Sequence, residues 1–290
     1  MLRELRAEDA QRVADLFVAA FGDARRLDAE EIRSWLNNTE LEPGSLRVLE
    51  DDGRVVGYGD LWFERGDVVL DVAAPGHWEP FFAWAEGAGR ARGLSRARAY
   101  FPAGHELERV VAARGYRLWR ASYTMEIALG DTPPAAALLP PGIEVRPYVT
   151  GRDEAVVRAA VNEAFAGDPF FYELSEGTFR EFHLGARGFD PSLWLLAWDG
   201  AELAGFVLSF PERVGDPDLG WIGTLGVRAP WRRRGLGEAL LHAAFRALHG
   251  RGLRRVGLGV DAENVTGALR LYERVGMHVV RRADNWMLDL

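Results

Sequence analysis

One order of elements occurs twice along the chain, the second copy displaced by roughly 150 residues, and this repeat restricts the fold to two small domains of one kind. Leu5 to Asp23 reads as a short strand and a helix ending Ala19-Ala20-Phe21-Gly22-Asp23; Ile143 to Asp168 repeats it and ends Ala164-Phe165-Ala166-Gly167-Asp168. Each is followed by a second helical stretch. Two strands joined at a tight turn come next: Leu46–Glu50 and Val55–Glu64 about Asp51-Asp52-Gly53, then Trp194–Trp198 and Glu202–Phe210 about Asp199-Gly200. Asp-Gly accepts the positive φ of a two-residue hairpin turn. Each second strand carries glycine then an aromatic ring, Gly57-Tyr58 and Gly205-Phe206. The copies also end alike: Arg114-Gly115-Tyr116 leads to a last strand at Ser122–Leu129, and Val275-Gly276-Met277 to one at Asn285–Leu290. Between them, Asp131-Thr132-Pro133-Pro134 to Pro140-Pro141-Gly142 has the proline content of a linker, which sets expected domains at 1–135 and 142–290.

Composition narrows the chemistry. With 48% apolar residues among 290, the chain is able to bury two cores. No apolar run approaches the roughly 18 residues of a membrane span, and Met1-Leu2-Arg3-Glu4-Leu5-Arg6 is charged where a signal peptide turns apolar, so a cytoplasmic protein without a membrane partner is expected. The absence of cysteine excludes disulfides, thiolate metal sites and a cysteine nucleophile. The six histidines show no metal-ligand spacing, and no metal is expected. A net charge of −8 without a concentrated basic face argues against nucleic-acid binding, which draws most of its affinity from neutralised phosphates. A small amine-bearing partner fits better. Nothing in the sequence sets an oligomeric state.

The most specific feature is a strand, a loop and a helix start: Trp221-Ile222-Gly223-Thr224-Leu225-Gly226-Val227, then Arg228 to Arg234, then Gly235-Leu236-Gly237-Glu238-Ala239-Leu240-Leu241. Gly235 and Gly237 remove side chains that would hold an anion off the backbone. The unpaired amides of the first turn, with the positive end of the helix dipole, point outward. Arg232, Arg233 and Arg234 add charge. Leu236, Leu240, Ala244 and Leu248 then recur on one helix face for packing on a sheet.

This stretch resembles the acetyl-CoA signature of the GNAT superfamily of N-acetyltransferases: Arg or Gln, two residues, Gly, any residue, Gly or Ala, matched by Arg232, Gly235 and Gly237. A second match runs from Val256–Val260 through Asn264 to Leu271-Tyr272-Glu273-Arg274 and Gly276-Met277. The tandem layout is similar to that of mycothiol synthases. The resemblance implies an α/β fold of two tandem GNAT-like domains. Each is a mixed, mostly antiparallel central sheet flanked by helices, with a splayed parallel strand pair. It implies acetyl-CoA as acyl donor, bound by Leu225, Gly226, Val227, Arg232, Arg233, Arg234, Gly235, Leu236, Gly237, Glu238 and Asn264. Tyr272 becomes the catalytic donor to the leaving thiolate, and the Val227 amide a donor to the developing oxyanion. The acceptor is a small amine-bearing molecule that attacks the thioester directly.

Two departures from the family pattern matter. The first copy, Val68-Val69-Leu70-Asp71-Val72 followed by Ala73 to Pro80, has no arginine-glycine loop, and Tyr100 to Glu106 lacks counterparts of Asn264 and Tyr272; a degenerate domain is expected there. In the second copy the strand glutamate that many relatives use as base, six residues before Val227, is replaced by Trp221. Glu163, Asp168, Glu173 or a water chain are substitutes for that base. Phe165, Tyr172 and Trp221 suggest an aromatic substrate pocket, with Phe170 and Phe171 beside them. The missing glutamate leaves a non-catalytic acyl-CoA-binding or sensor protein as the alternative, and an acetyltransferase acting on proteins as a third reading.

Overall fold

The computed structural model describes residues 1–38, 41–168, 171, 173–264 and 267–290. In the first half the elements are β1 (Leu2–Glu4), α1 (Ala10–Phe21), α2 (Ala29–Trp35), β2 (Leu46–Asp51), β3 (Arg54–Glu64), β4 (Asp67–Ala73), α3 (Glu79–Ala91), β5 (Arg96–Pro102), α4 (Leu107–Ala113) and β6 (Arg117–Ala128). The second half has β7 (Ile143–Pro147), α5 (Glu154–Phe165), α6 (Glu176–Phe179), β8 (Trp194–Asp199), β9 (Glu202–Phe210), β10 (Leu219–Val227), α7 (Leu236–Gly250), β11 (Arg255–Asp261), α8 (Ala268–Arg274) and β12 (His278–Asp289). The repeat is therefore real in element order. Both last strands begin earlier than the patterning suggests, at Arg117 and His278.

The chain forms two compact units whose boundaries do not follow the sequence halves. Unit 1 holds Met1–Tyr123, Asp261–Glu263 and Arg281–Leu290; unit 2 holds Thr124–Val260 and Asn264–Val280. The end of β6 thus belongs to unit 2, and most of β12 to unit 1. In unit 1 the strand order is β1-β2-β3-β4-β5-β12, and in unit 2 it is β6-β11-β10-β9-β8-β7. β12 pairs with β5 antiparallel from Ala283↔Pro102 to Asp289↔Arg96. Each sheet has one parallel pair, β4 with β5 and β10 with β11, among antiparallel neighbours.

Local chemistry accounts for the hairpins and helices. Asp52 and Gly53, with φ of 45° and 73°, form the turn between β2 and β3. In α1 the side chains of Val13, Leu16, Phe17 and Phe21 are buried, as helical spacing of apolar residues requires. In α7 the expected stripe of Leu236, Leu240, Ala244 and Leu248 is buried, and glycines of the sheet receive it. A Cβ at Gly205 would lie 3.1 Å from Leu240, and one at Gly220 would lie 3.2 Å from Leu248. The opposite face of that sheet packs Phe206, Leu208 and Trp194 against Val157, Ala160 and Val161 of α5. Unit 1 has its own core, in which Phe17, Tyr58, Phe81, Phe82 and Phe101 are fully buried. Each such side chain contributes about 1.5 to 3 kcal/mol.

Candidate active site

The pairing of β10 with β11 runs only from Leu219↔Arg255 to Ile222↔Leu258, although β10 continues to Val227 and β11 to Asp261. A bulge at Gly223 coincides with the divergence. Gly223 is small because the Phe210 ring lies where its Cβ would be, 2.8 Å away. Beyond the bulge β10 stays paired with β9, through Thr224↔Leu208, Leu225↔Val207, Gly226↔Phe206 and Val227↔Gly205.

Hydrogen-bonded and non-hydrogen-bonded partners alternate along an antiparallel pair. The Arg228 N–H donates to the Ala204 carbonyl at 3.0 Å, so the pairs at Val227 and Leu225 are of the non-hydrogen-bonded kind. Their main-chain N–H and C=O groups point away from β9, to the side from which β11 has withdrawn. The Val227 carbonyl accepts there from Arg232 Nε at 2.9 Å.

After β10 the loop is pinned at two points. Arg228 bonds Glu163 at 2.7 Å and the Leu203 carbonyl at 3.0 Å; Trp231 is buried and donates to Asp199 at 2.8 Å. Arg232, Arg233, Arg234 and Gly235 stand exposed between these anchors and α7. Arg233 holds a φ of 60°, unusual for a residue with a side chain, and Gly235 follows at 81°. Gly235 is the N-cap of α7 and gives it no side-chain cap, so the first-turn amides keep their outward donors. Nothing lies within 4 Å of a Cβ built at Gly235. This cradle fits a pyrophosphate. Gly237 has a different reason for being glycine: a Cβ there would meet Leu271 at 3.1 Å, so it lets α8 pack against the first turn of α7. Leu236 is buried, so only its main chain is available to a ligand, and Glu238 lies 3.7 Å from Arg274.

α8 carries Tyr272, which is 8% exposed, and burial pushes its phenol up to about 12. Asn264 is half-buried in the loop between β11 and α8. A splayed parallel pair, an uncapped helix start behind arginines and a buried tyrosine now stand together in unit 2.

Residues 159–277 match the family profile described as "Acetyltransferase (GNAT) family". A mycothiol acetyltransferase of Streptomyces scabiei is 33% identical over 90% of this chain and 87% of its own length. One of Streptomyces coelicolor is 31% identical over 94% and 91%. The crystal structure of a GCN5-related N-acetyltransferase from Sphaerobacter thermophilus superposes with a TM-score of 0.80 at 31% identity, covering all of this chain and 95% of that one. The chain belongs to the GNAT acetyltransferase family. A tandem GNAT protein from the clavulanic acid biosynthesis pathway shares the fold, with a TM-score of 0.71 at 18% identity over 100% and 98% of the two chains. Membership makes this GNAT protein an acyltransferase. No helix among the described residues is long and apolar enough to cross a membrane, and among those residues no group of His, Asp and Glu is disposed to hold a metal ion.

The sheet face before the divergence of β10 and β11 is aromatic and cationic. Trp221 shares the sheet face of Phe210 and lies across β11, its ring atoms 3.1 and 3.9 Å from where Cβ atoms at Gly257 and Gly259 would be. The Arg213 guanidinium stacks 4.9 Å from the ring centroid. Phe165 packs on Phe171, with centroids 5.5 Å apart, at the edge of the core under α5. Tyr172, the other expected wall residue, and Phe170 lie outside the described residues. Glu163, a substitute base on sequence grounds, is engaged by Arg228.

One residue escaped the sequence reading. Glu126 on β6 is 8% exposed, and its Cγ lies 3.3 Å from the would-be Cβ of Gly257, beside the Trp221 ring; Arg255 holds its carboxylate at 2.8 Å. No local signal marks it, because it comes from the first half of the chain and reaches this site only through the placement of β6 next to β11.

Proposed function

We propose that this chain transfers the acetyl group of acetyl-CoA to the amine of a small molecule, with donor and reacting centre in unit 2. The observation that carries this reading is the uncapped start of α7 opening beside the diverging strands. Arg232 to Arg234, Gly235 and the amides of Leu236, Gly237 and Glu238 would hold the pyrophosphate. Leu225 and Val227 would pair with the pantetheine amides, and Asn264 would add a side-chain contact. Bound there, acetyl-CoA supplies an activated thioester. The Val227 N–H, fixed in the gap, would stabilise negative charge developing on the acyl oxygen without reorganisation. Tyr272 would donate a hydrogen bond to the departing sulfur. Trp221 and Phe165 would line the acceptor side. The mycothiol acetyltransferase relatives make mycothiol-type amines the first acceptors to assay.

Charge-assisted hydrogen bonds contribute about 1.5 to 3 kcal/mol each. Arg233→Ala or Arg234→Ala alone should therefore weaken acetyl-CoA binding by on the order of 10- to 100-fold by calorimetry, at a stoichiometry of one per chain in the parent. Unchanged affinity would remove the pyrophosphate from this loop.

For the amine's proton we propose Glu126, acting through water past the Trp221 edge, in preference to Glu163. Its support is the shared row of Trp221, Gly257 and Glu126. Glu126→Gln should lower kcat/KM by about 10²-fold near neutrality, the size expected for loss of a general base. Glu163→Gln should cost less than about fivefold, because an exposed ion pair contributes at most about 1 kcal/mol. The reverse ranking would transfer the role to Glu163.

A further inference from the structure

A glycine inside a strand has no side chain to pack and weakens the strand, so it persists where another group comes close to the backbone. In the unit 2 sheet that group belongs to the protein at all but one position. A Cβ at Gly205, Gly220, Gly223, Gly226 or Gly257 would lie 2.2 to 3.1 Å from a heavy atom of a packed neighbour. Gly259 on β11 is the exception. Among the described residues, the one heavy atom within 4 Å of its Cβ position is Trp221 Cζ2, at 3.9 Å, an ordinary contact. Gly259 is exposed, and its φ is not positive, so neither packing nor backbone conformation calls for glycine there.

The place of Gly259 in the sheet gives the open space a side. β11 pairs with β10 up to Ile222↔Leu258, which makes Gly259 the first residue of β11 in the gap. Alternation puts Arg255, Gly257 and Gly259 on one face of β11 and the buried Val256, Leu258 and Val260 on the other. The Trp221 ring runs along the first face, from 3.1 Å at the Cβ position of Gly257 to 3.9 Å at that of Gly259. Glu126 borders the same row, its Cγ 3.3 Å from the Cβ position of Gly257. Helix α7 packs on the opposite face of the sheet, where Leu240 and Leu248 reach Gly205 and Gly220. The space over Gly259 therefore opens away from the helix whose start would hold the pyrophosphate, on the side of Trp221 and Glu126.

We propose that Gly259 is a specificity-determining residue for the acyl acceptor: the carbon bearing the acceptor's amine, with its substituent, passes over the bare backbone of Gly259 against the edge of Trp221. The inference rests on the reading that acetyl-CoA occupies the β10–β11 gap. A methyl group at this position takes the space available for bulk beside the amine, and one methylene in such a fit is worth about 10- to 200-fold. Stability moves the other way. Gly259→Ala should leave Tm unchanged or raise it, because alanine restricts the unfolded chain and fits this backbone without strain.

The test uses the full chain and two conjugates in which the CoA sulfur is joined through an acetyl bridge to the amine of glycinamide or of valinamide. Calorimetry then reads occupancy without turnover. Gly259→Ala should bind CoA as the parent does and weaken the valinamide conjugate at least about tenfold relative to the glycinamide conjugate. Gly259→Val should weaken both conjugates with CoA affinity unchanged. A conjugate ratio equal to the parent's, at normal CoA affinity, overturns this inference alone. Loss of affinity for CoA itself in Gly259→Ala assigns the space to the donor, and a fall in Tm assigns it to packing; either result overturns the inference. If the parent binds no CoA, the reading of the gap fails and this inference with it. If the conjugates discriminate as expected but the parent acetylates neither free amide, the acetyl-transfer reading fails and the role of Gly259 stands.

Discussion

Tyr272→Phe should reduce kcat by about 10²- to 10³-fold while leaving the dissociation constant for acetyl-CoA unchanged, the pattern of a group whose hydrogen bond is made in the transition state. The buried phenol, pushed up to about 12, is a weaker acid than a tyrosine in water. Against a thiol of pKa about 8.5, complete transfer of its proton to the leaving sulfur would be uphill by about 5 kcal/mol. In the proposed reaction Tyr272 would therefore act as a hydrogen-bond donor that lowers the charge on sulfur. It follows that Tyr272 stays protonated below about pH 11, so any alkaline limb of the rate profile at lower pH should survive in Tyr272→Phe. Steady-state kinetics with an amine panel, together with calorimetry, checks both statements. An unchanged kcat would take Tyr272 out of the chemistry.

The second large effect is on stability. Asp60 is buried beside Asp71, and desolvation, together with the neighbouring charge, pushes its carboxyl up to about 8 against the hydrogen bond from Tyr58. Between the ordinary carboxylate value and about 8 the folded chain holds a proton that the unfolded chain has released. Stability contributed by this group is therefore lost as pH rises through that window, and levels off above it. At about 1.4 kcal/mol per pKa unit the whole effect is capped near 5 to 6 kcal/mol. Asp60→Asn supplies an amide carbonyl to accept from Trp62 and an N–H to donate to the Tyr58 oxygen, and thus imitates the protonated acid. It should make unit 1 more stable at pH 8.5, by on the order of 3 kcal/mol, with little change at pH 5. Hydrogen exchange of β3 and β4 amides at the two pH values resolves unit 1 from unit 2. Parallel pH dependences in the parent and the variant would show that Asp60 does not carry the proton.

Much of the fold and part of the candidate site were legible in the sequence. The hairpin at Asp52-Gly53, the apolar stripe of α7 and the loop from Arg228 to Gly235 each depend on residues a few positions apart, whose spacing and backbone preferences act locally. The repeat supplied the two sheets, because the same local signals occur in the same order twice. Gly237 shows where that reading stops. Its place in the motif suggested room for a ligand, whereas Leu271 of α8 fills the space, a contact between separate helices.

The sequence alone determined that this chain makes two related α/β units, that one of them offers an uncapped, arginine-flanked helix start, and that β10 carries no acid where Trp221 stands. Local turn, helix and periodicity rules suffice for those conclusions. Tertiary structure alone decided that β6 and β12 complete sheets outside their own repeats, that Glu126 comes to lie beside Gly257 and Trp221, and that Arg25 seats between Phe17, Phe21, Tyr100 and Asp71. Those arrangements join residues far apart in the chain, and they are set by strand pairing and packing that no short window of sequence contains.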